Sequence, residues 1–140
     1  MADRWFTPVS ARQALDTLRP AAESLCRLYR ELERTRPPRI LGDQPVDPNY
    51  FCLVARVYAA LGEIRRSGAR VQDVRRGCLG FPARRAGRSV VLCWQVGEAT
   101  LGFWQEPGAR SRRRRPVDED GPWEEGWAGR LAGDRQGGLS

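Results

Sequence analysis

Residues 78–95 decide the fold: Cys78-Leu79-Gly80-Phe81-Pro82-Ala83-Arg84-Arg85-Ala86-Gly87-Arg88-Ser89-Val90-Val91-Leu92-Cys93-Trp94-Gln95. Period-two alternation on both sides of Ala86-Gly87 marks two strands with distinct faces. Ala86-Gly87 is short enough for a tight hairpin turn. Antiparallel pairing then puts Leu79 opposite Trp94, Phe81 opposite Leu92 and Ala83 opposite Val90. The strands read as 78–83 and 89–96. A third, 100–106, comes after the turn Gly97-Glu98-Ala99 and sets Trp104 beside Leu92. Leu79, Phe81, Leu92, Trp94, Val96 and Trp104 share one face, which needs a covering layer. The opposite face carries Arg84, Val91, Cys93, Gln95, Leu101, Phe103 and Gln105. It is too apolar to be left to water, so the C-terminal tail or a second subunit is expected to cover it.

The covering layer is upstream. Thr7 with Pro8 after it reads as an N-cap and first helical position. Leu15, Leu18, Ala22, Leu25, Tyr29 and Leu32 then recur at spacings of three and four, with Leu28 widening the stripe. Pro20 falls inside this stripe and is expected to kink the helix. Residues 35–46 hold Pro37-Pro38, Gly42 and Pro45 and break it. Asp47-Pro48 starts a second helix, whose stripe reads Tyr50, Val54, Val57, Leu61 and Ile64 and which Gly68 ends. The expected fold is α+β: a two-helix antiparallel hairpin packed on a three-stranded antiparallel β-sheet. Residues 1–106 form the core, 107–122 a mobile charged insertion, and 123–140 a C-terminal motif and loose tail, all in a single domain.

Length and composition agree with one domain. The chain has 140 residues and a formal charge of +7, its 24 basic residues all arginine. That charge is spread evenly, with twelve Arg against eight acids before residue 71 and twelve against nine after it. A dedicated nucleic-acid arm concentrates charge more than this. There is no histidine, which excludes Ser-His-Asp and Cys-His catalysis and histidine metal ligation. Cys26, Cys52, Cys78 and Cys93 lack the paired spacing of zinc sites, so no metal and no cofactor are expected. Cys26 and Cys52 sit on opposite helices at levels where they could come close, though packing is their expected role. The first nineteen residues contain no apolar signal-peptide core, and no apolar run is long enough for a membrane span. A cytoplasmic protein with reduced thiols is expected.

Several stretches together resemble one family. Residues 75–84, Arg75-Arg76-Gly77-Cys78-Leu79-Gly80-Phe81-Pro82-Ala83-Arg84, resemble the RGLVDFPA stretch of the uncharacterised bacterial domain-of-unknown-function family 2203. Residues 87–94 resemble its GREVLLCW strand. Gly97-Glu98 with Phe103-Trp104-Gln105-Glu106 resembles its LGEPEV…YWHE segment. The opening at Phe6-Thr7 through Ala14-Leu15 is similar to its FTLEEANALL start, and residues 123–130 are similar to its LDAGFAGR ending. Two departures stand out: Gln105 occupies a position where the family usually has histidine, and residues 107–122 intervene before the ending. The resemblance supports a fold and brings no established activity.

These elements define the candidate sites. If the tail folds back over the open sheet face, Arg84, Gln95, Gln105 and Arg130 meet in a small polar pocket. Guanidiniums and amides there suit a carboxylate or phosphate. The competing expectation is a Glu106–Arg130 ion pair that merely pins the tail. Glu106 is both a ligand-binding candidate beside these residues and the only catalytic candidate; it needs burial to act as a general base, and no nucleophile stands beside it. Arg112, Arg113, Arg114 and Arg115 are the nucleic-acid candidates. Residues 107–140 hold seven Arg against six acids, and the sheet tryptophans point to the core, so nucleic acid is the less favoured partner. The expected function is a small binding or accessory protein for a small anionic ligand. The alternatives are a small biosynthetic-pathway enzyme acting on a carboxylate-bearing substrate and a nucleic-acid-associated protein. Pairing of helical hairpins into a homodimer is a further expectation, because four helices bury more apolar surface than two.

Overall fold

The computed structural model describes residues 4–35, 48–108 and 113–127. The elements run β1 (Arg4–Trp5), α1 (Pro8–Arg34), α2 (Pro48–Arg66), β2 (Arg70–Asp73), β3 (Cys78–Arg85), β4 (Arg88–Gln95), β5 (Phe103–Gln105), β6 (Arg115–Pro116), β7 (Trp123–Glu124) and β8 (Gly126–Trp127). Among the described residues no helix is long and apolar enough to cross a membrane.

The central hairpin has the register read from its alternation: Leu79 faces Trp94, Phe81 faces Leu92 and Ala83 faces Val90. Both turn residues, Ala86 and Gly87, have positive φ, at 53° and 76°. Such a turn matches the right-handed twist of the strands it joins. Trp104 pairs opposite Leu92, as expected.

The sheet has six strands rather than three, in the order β2-β3-β4-β5-β6, with β7 on the outer edge of β3. The three extra strands are two to four residues long and lie at edges. Such segments carry too few residues for an alternation to register; their partners define them. β1 and β8 form a separate antiparallel pair, and Phe6 bridges to Ala83. The third strand is also shorter than expected. β5 starts at Phe103, and Leu101 is fully buried in the core rather than on the outer face. Residues 99–102 are irregular, so period two does not extend through them.

α1 opens with a capping box. Thr7 Oγ1 accepts from the Ser10 amide at 3.2 Å, and Ser10 Oγ accepts from the Thr7 amide at 2.8 Å. The helix runs unbroken through Pro20. Its expected stripe is buried at Leu15, Leu18, Ala22, Leu25 and Leu28, and it meets Phe6, Leu79, Phe81, Leu92, Trp94 and Trp104 in one core. α2 begins at Pro48 as expected, while the Asp47 cap lies outside the described residues. The stripe that α2 buries is Leu53, Val57, Ala60 and Ile64: Val57 and Ile64 are as expected, Leu61 packs against the core while half-buried, and Leu53 and Ala60 are buried in place of Tyr50 and Val54. The physical reason is that α2 is apolar around most of its circumference, so periodicity alone leaves its rotation undetermined.

Cys26 and Cys52 do not face one another. Cys26 is buried, with its thiol donating to the Arg75 carbonyl at 3.1 Å, whereas Cys52 is on the exposed side of α2.

Candidate functional site

The outer face of the sheet is an open groove of about 800 Å³. Its floor comes from alternate residues of β3 and β4, where Gly80, Pro82, Val91 and Cys93 point away from the core. Gly80 makes the floor low. A Cβ there would stand 2.8 Å from Val91 Cγ1 and 2.9 Å from the Gln72 amide, so these two side chains close over the glycine. The walls are polar. Arg70, Gln72, Asp73 and Arg76 come from β2 and the turn after it, Gln95 and Gln105 from the ends of β4 and β5, and Arg114 from the approach to β6. The Trp5 ring closes the side next to β3.

Arg114 is the best-fixed cation of the groove. Its Nη1 and Nη2 donate to both oxygens of Glu98 at 2.8 and 3.0 Å, and its guanidinium lies 4.4 Å from the Phe103 ring centroid. Glu98 also accepts from the Gln95 amide at 2.8 Å. The paired guanidinium, with help from that amide, holds the Glu98 carboxyl below the usual range. A fork with five N–H donors keeps further donors for a ligand after binding one carboxylate bidentately.

The two groove thiols are poor nucleophiles. Desolvation pushes the Cys93 thiol up to about 11, and the Cys78 thiol is also raised, chiefly by desolvation. The Cys78 Sγ–Gln95 Oε1 contact is 3.4 Å, with the thiol as donor. Among the described residues no group of three or more Cys, Asp or Glu could hold a metal ion.

The site residues expected from sequence separate. Gln95 and Gln105 line the groove. Arg84 lies instead over the Trp5 ring, 4.8 Å from its centroid, with Nε 3.3 Å from Glu124. Glu106 pairs with Arg88 at 2.7 Å. Arg130 lies outside the described residues, and so does Arg112. Arg113 is exposed, Arg114 turns into the groove, and Arg115 lies 5.4 Å from the Trp104 ring centroid. Arg70, Gln72, Asp73, Arg76 and Arg114 are the wall residues that sequence reasoning did not place there. A run of four arginines carries no sign of which one turns inward, and the β2 residues reach the groove only through pairing with β3.

The C-terminal segment returns to the sheet along its edge. β7 pairs with Arg84 and Arg85, and β8 pairs with β1. Arg85 lies 5.1 and 5.4 Å from the ring centroids of Trp104 and Trp123, and its Nη2 donates to Asp118 at 2.6 Å. Arg12 grips Glu119 with two bonds of 2.7 and 2.6 Å. These contacts fix 113–127 beside the groove.

Comparison with curated proteins finds no match, and comparison with solved structures finds none. A family model does match, over residues 4–117, from β1 to just past β6. The resemblance read in residues 123–130 falls beyond that match. Since the matched region includes both helices and five of the six strands of the sheet, the chain belongs to the DUF2203 family of uncharacterized conserved proteins.

Proposed function

We propose that the protein is a cytoplasmic, non-catalytic binding or accessory protein that works as a homodimer and takes a small anionic ligand in the groove on the outer sheet face. The observation that carries this reading is the composition of the groove. An apolar floor of Gly80, Pro82, Val91 and Cys93 lies beneath walls bearing three arginines and one aspartate. Binding sites commonly combine an apolar floor with a few placed polar groups. With Glu98 on Arg114 counted too, three arginines stand against two carboxylates, a net positive wall that favours an anion, and the Gln72, Gln95 and Gln105 amides add uncharged donors and acceptors. A ligand with a short apolar body and one carboxylate uses both floor and wall. Thiols held protonated beside this surface argue for binding over nucleophilic chemistry.

Thermal unfolding of the full chain tests the reading, using straight-chain and aromatic monocarboxylates beside inorganic phosphate. Ligands that bind only the folded chain raise its midpoint with concentration. The expected result is a saturable rise with carboxylates, abolished in Gln105→Trp, where an indole fills the groove. The absence of a rise with every compound at millimolar concentration would sink the proposal.

A further inference from the structure

α1 and α2 differ in what they leave to solvent. The outer side of α1 is charged, with Glu23, Arg27, Arg30, Glu31 and Arg34 exposed. The outer side of α2 is apolar and small: Cys52, Ala55 and Ala59 are exposed and Gly62 half-exposed, beside Phe51 at 54% and Tyr58 at 70% exposure. At 100° per residue, Cys52, Ala55, Ala59 and Gly62 fall on one stripe opposite the buried Leu53, Val57, Ala60 and Ile64. Arg56 and Glu63 flank that stripe on the same side, two turns apart. Neither makes an ion pair or hydrogen bond among the described residues.

We infer that this face of α2 pairs antiparallel with α2 of a second copy of the chain, with the two-fold axis beside Ala59. The spacing of opposite charges argues for this occupant. A two-fold axis between antiparallel helices returns each flank to itself and reverses its direction. Arg56 of one copy therefore meets Glu63 of the other, and the pair occurs twice. Parallel pairing would instead swap the flanks and set Arg56 and Glu63 against the Phe51–Tyr58 side of the other copy, leaving both charges without a partner. In the antiparallel arrangement Ala59 lies on Ala59 and Ala55 lies beside Gly62, so the small side chains let the helices approach closely while Phe51 and Tyr58 cover the edges. One helix pair of this length buries less than a standard interface, which puts it with weak, concentration-dependent contacts. The inference rests on the pairing of copies proposed above and is independent of the groove ligand.

Sedimentation of the full chain across micromolar concentrations tests it. Arg56→Glu and Glu63→Arg each replace two attractive pairs with two repulsive ones and should weaken the dimer about tenfold. The double swap, Arg56→Glu with Glu63→Arg, should restore it. Both positions are solvent-facing, so circular dichroism should be unchanged. In a Cys52→Ser background, Ala59→Cys should cross-link two chains under mild oxidation. In the unaltered chain Cys52 should not cross-link, since antiparallel pairing separates the two copies of Cys52 by about 21 Å along the axis. A dimer that ignores the charge swaps overturns this interface and leaves the pairing of copies standing. A chain that stays monomeric at all concentrations overturns both, and either result leaves the groove proposal to its own test.

Discussion

Glu98 does more than its place in a turn requires. Its carboxylate receives both terminal nitrogens of Arg114 and the Gln95 amide, so it ties the end of β4 to the approach to β6 and orients a wall of the groove. Both partners are about one-third exposed or less, which screens the pair less than a fully exposed one. Because the folded-state pKa of Glu98 is depressed, chiefly by Arg114, its contribution is full above the ordinary glutamate range. It is lost as pH falls through the lowered folded value. Glu98→Gln should therefore lower stability at pH 7 while flattening the acid limb of the stability curve below about pH 4.5. Urea unfolding at pH 7 and pH 3.5 measures this: the wild-type advantage should shrink at the lower pH. An equal gap at both values would remove the ionised carboxylate from the explanation.

At the scale of elements, legibility tracks the length of the pattern. The hairpin register is readable because eight alternating positions on each strand meet across a two-residue turn, and a slip of one residue would move Leu79, Phe81, Leu92 and Trp94 to the wrong face. α1 is readable for the same reason at period 3.6. α2 is readable only in part: Val57 and Ile64 are buried as the pattern has them, while apolar residues on both its sides leave its exact rotation to tertiary packing. β6 and β7 are unreadable because Arg115–Pro116 and Trp123–Glu124 become strands only through β5 and β3. The groove is half legible: alternation places Gln95 and Gln105, while long-range pairing brings Arg70 and Arg114. Arg85 is the pivot of that pairing. It touches two indoles and one carboxylate, although its buried Nε finds no hydrogen-bond partner among the described residues. Arg85→Ala removes two cation–π contacts, an ion pair and the packing of the side-chain stem. The expected loss is about 1–2 kcal/mol, together with faster tryptic cleavage within 113–115. Unfolding curves and a digestion time course separate the two effects. Unchanged cleavage would mean that Arg85 does not hold this segment.

For the whole molecule, the relevant contrast is between the family-matched region and the segment C-terminal to it. Residues 4–117 contain both helices, the central hairpin and β6, so they hold nearly all of the core. Residues 118–127 supply Asp118 and Glu119 to Arg85 and Arg12, the Trp123 ring against Trp104, and two strands that pair with β3 and β1. These contacts close an edge; they do not build the interior. A chain ending at residue 117 should therefore keep its helical circular dichroism and its β6 contacts, including Arg114–Glu98. It should melt at a lower temperature, and the unpaired backbone of β3 at Arg84 and Arg85 should make it more prone to associate through that edge. Thermal unfolding combined with light scattering reads both effects, and added salt should not reproduce them, because the edge is held by backbone pairing and indole packing as well as charge. A truncated chain with the full-length midpoint would assign the whole stability to the matched region. One without helical signal would mean that the returning segment is needed for the fold itself, and that the hairpin sheet and two helices do not make a core alone.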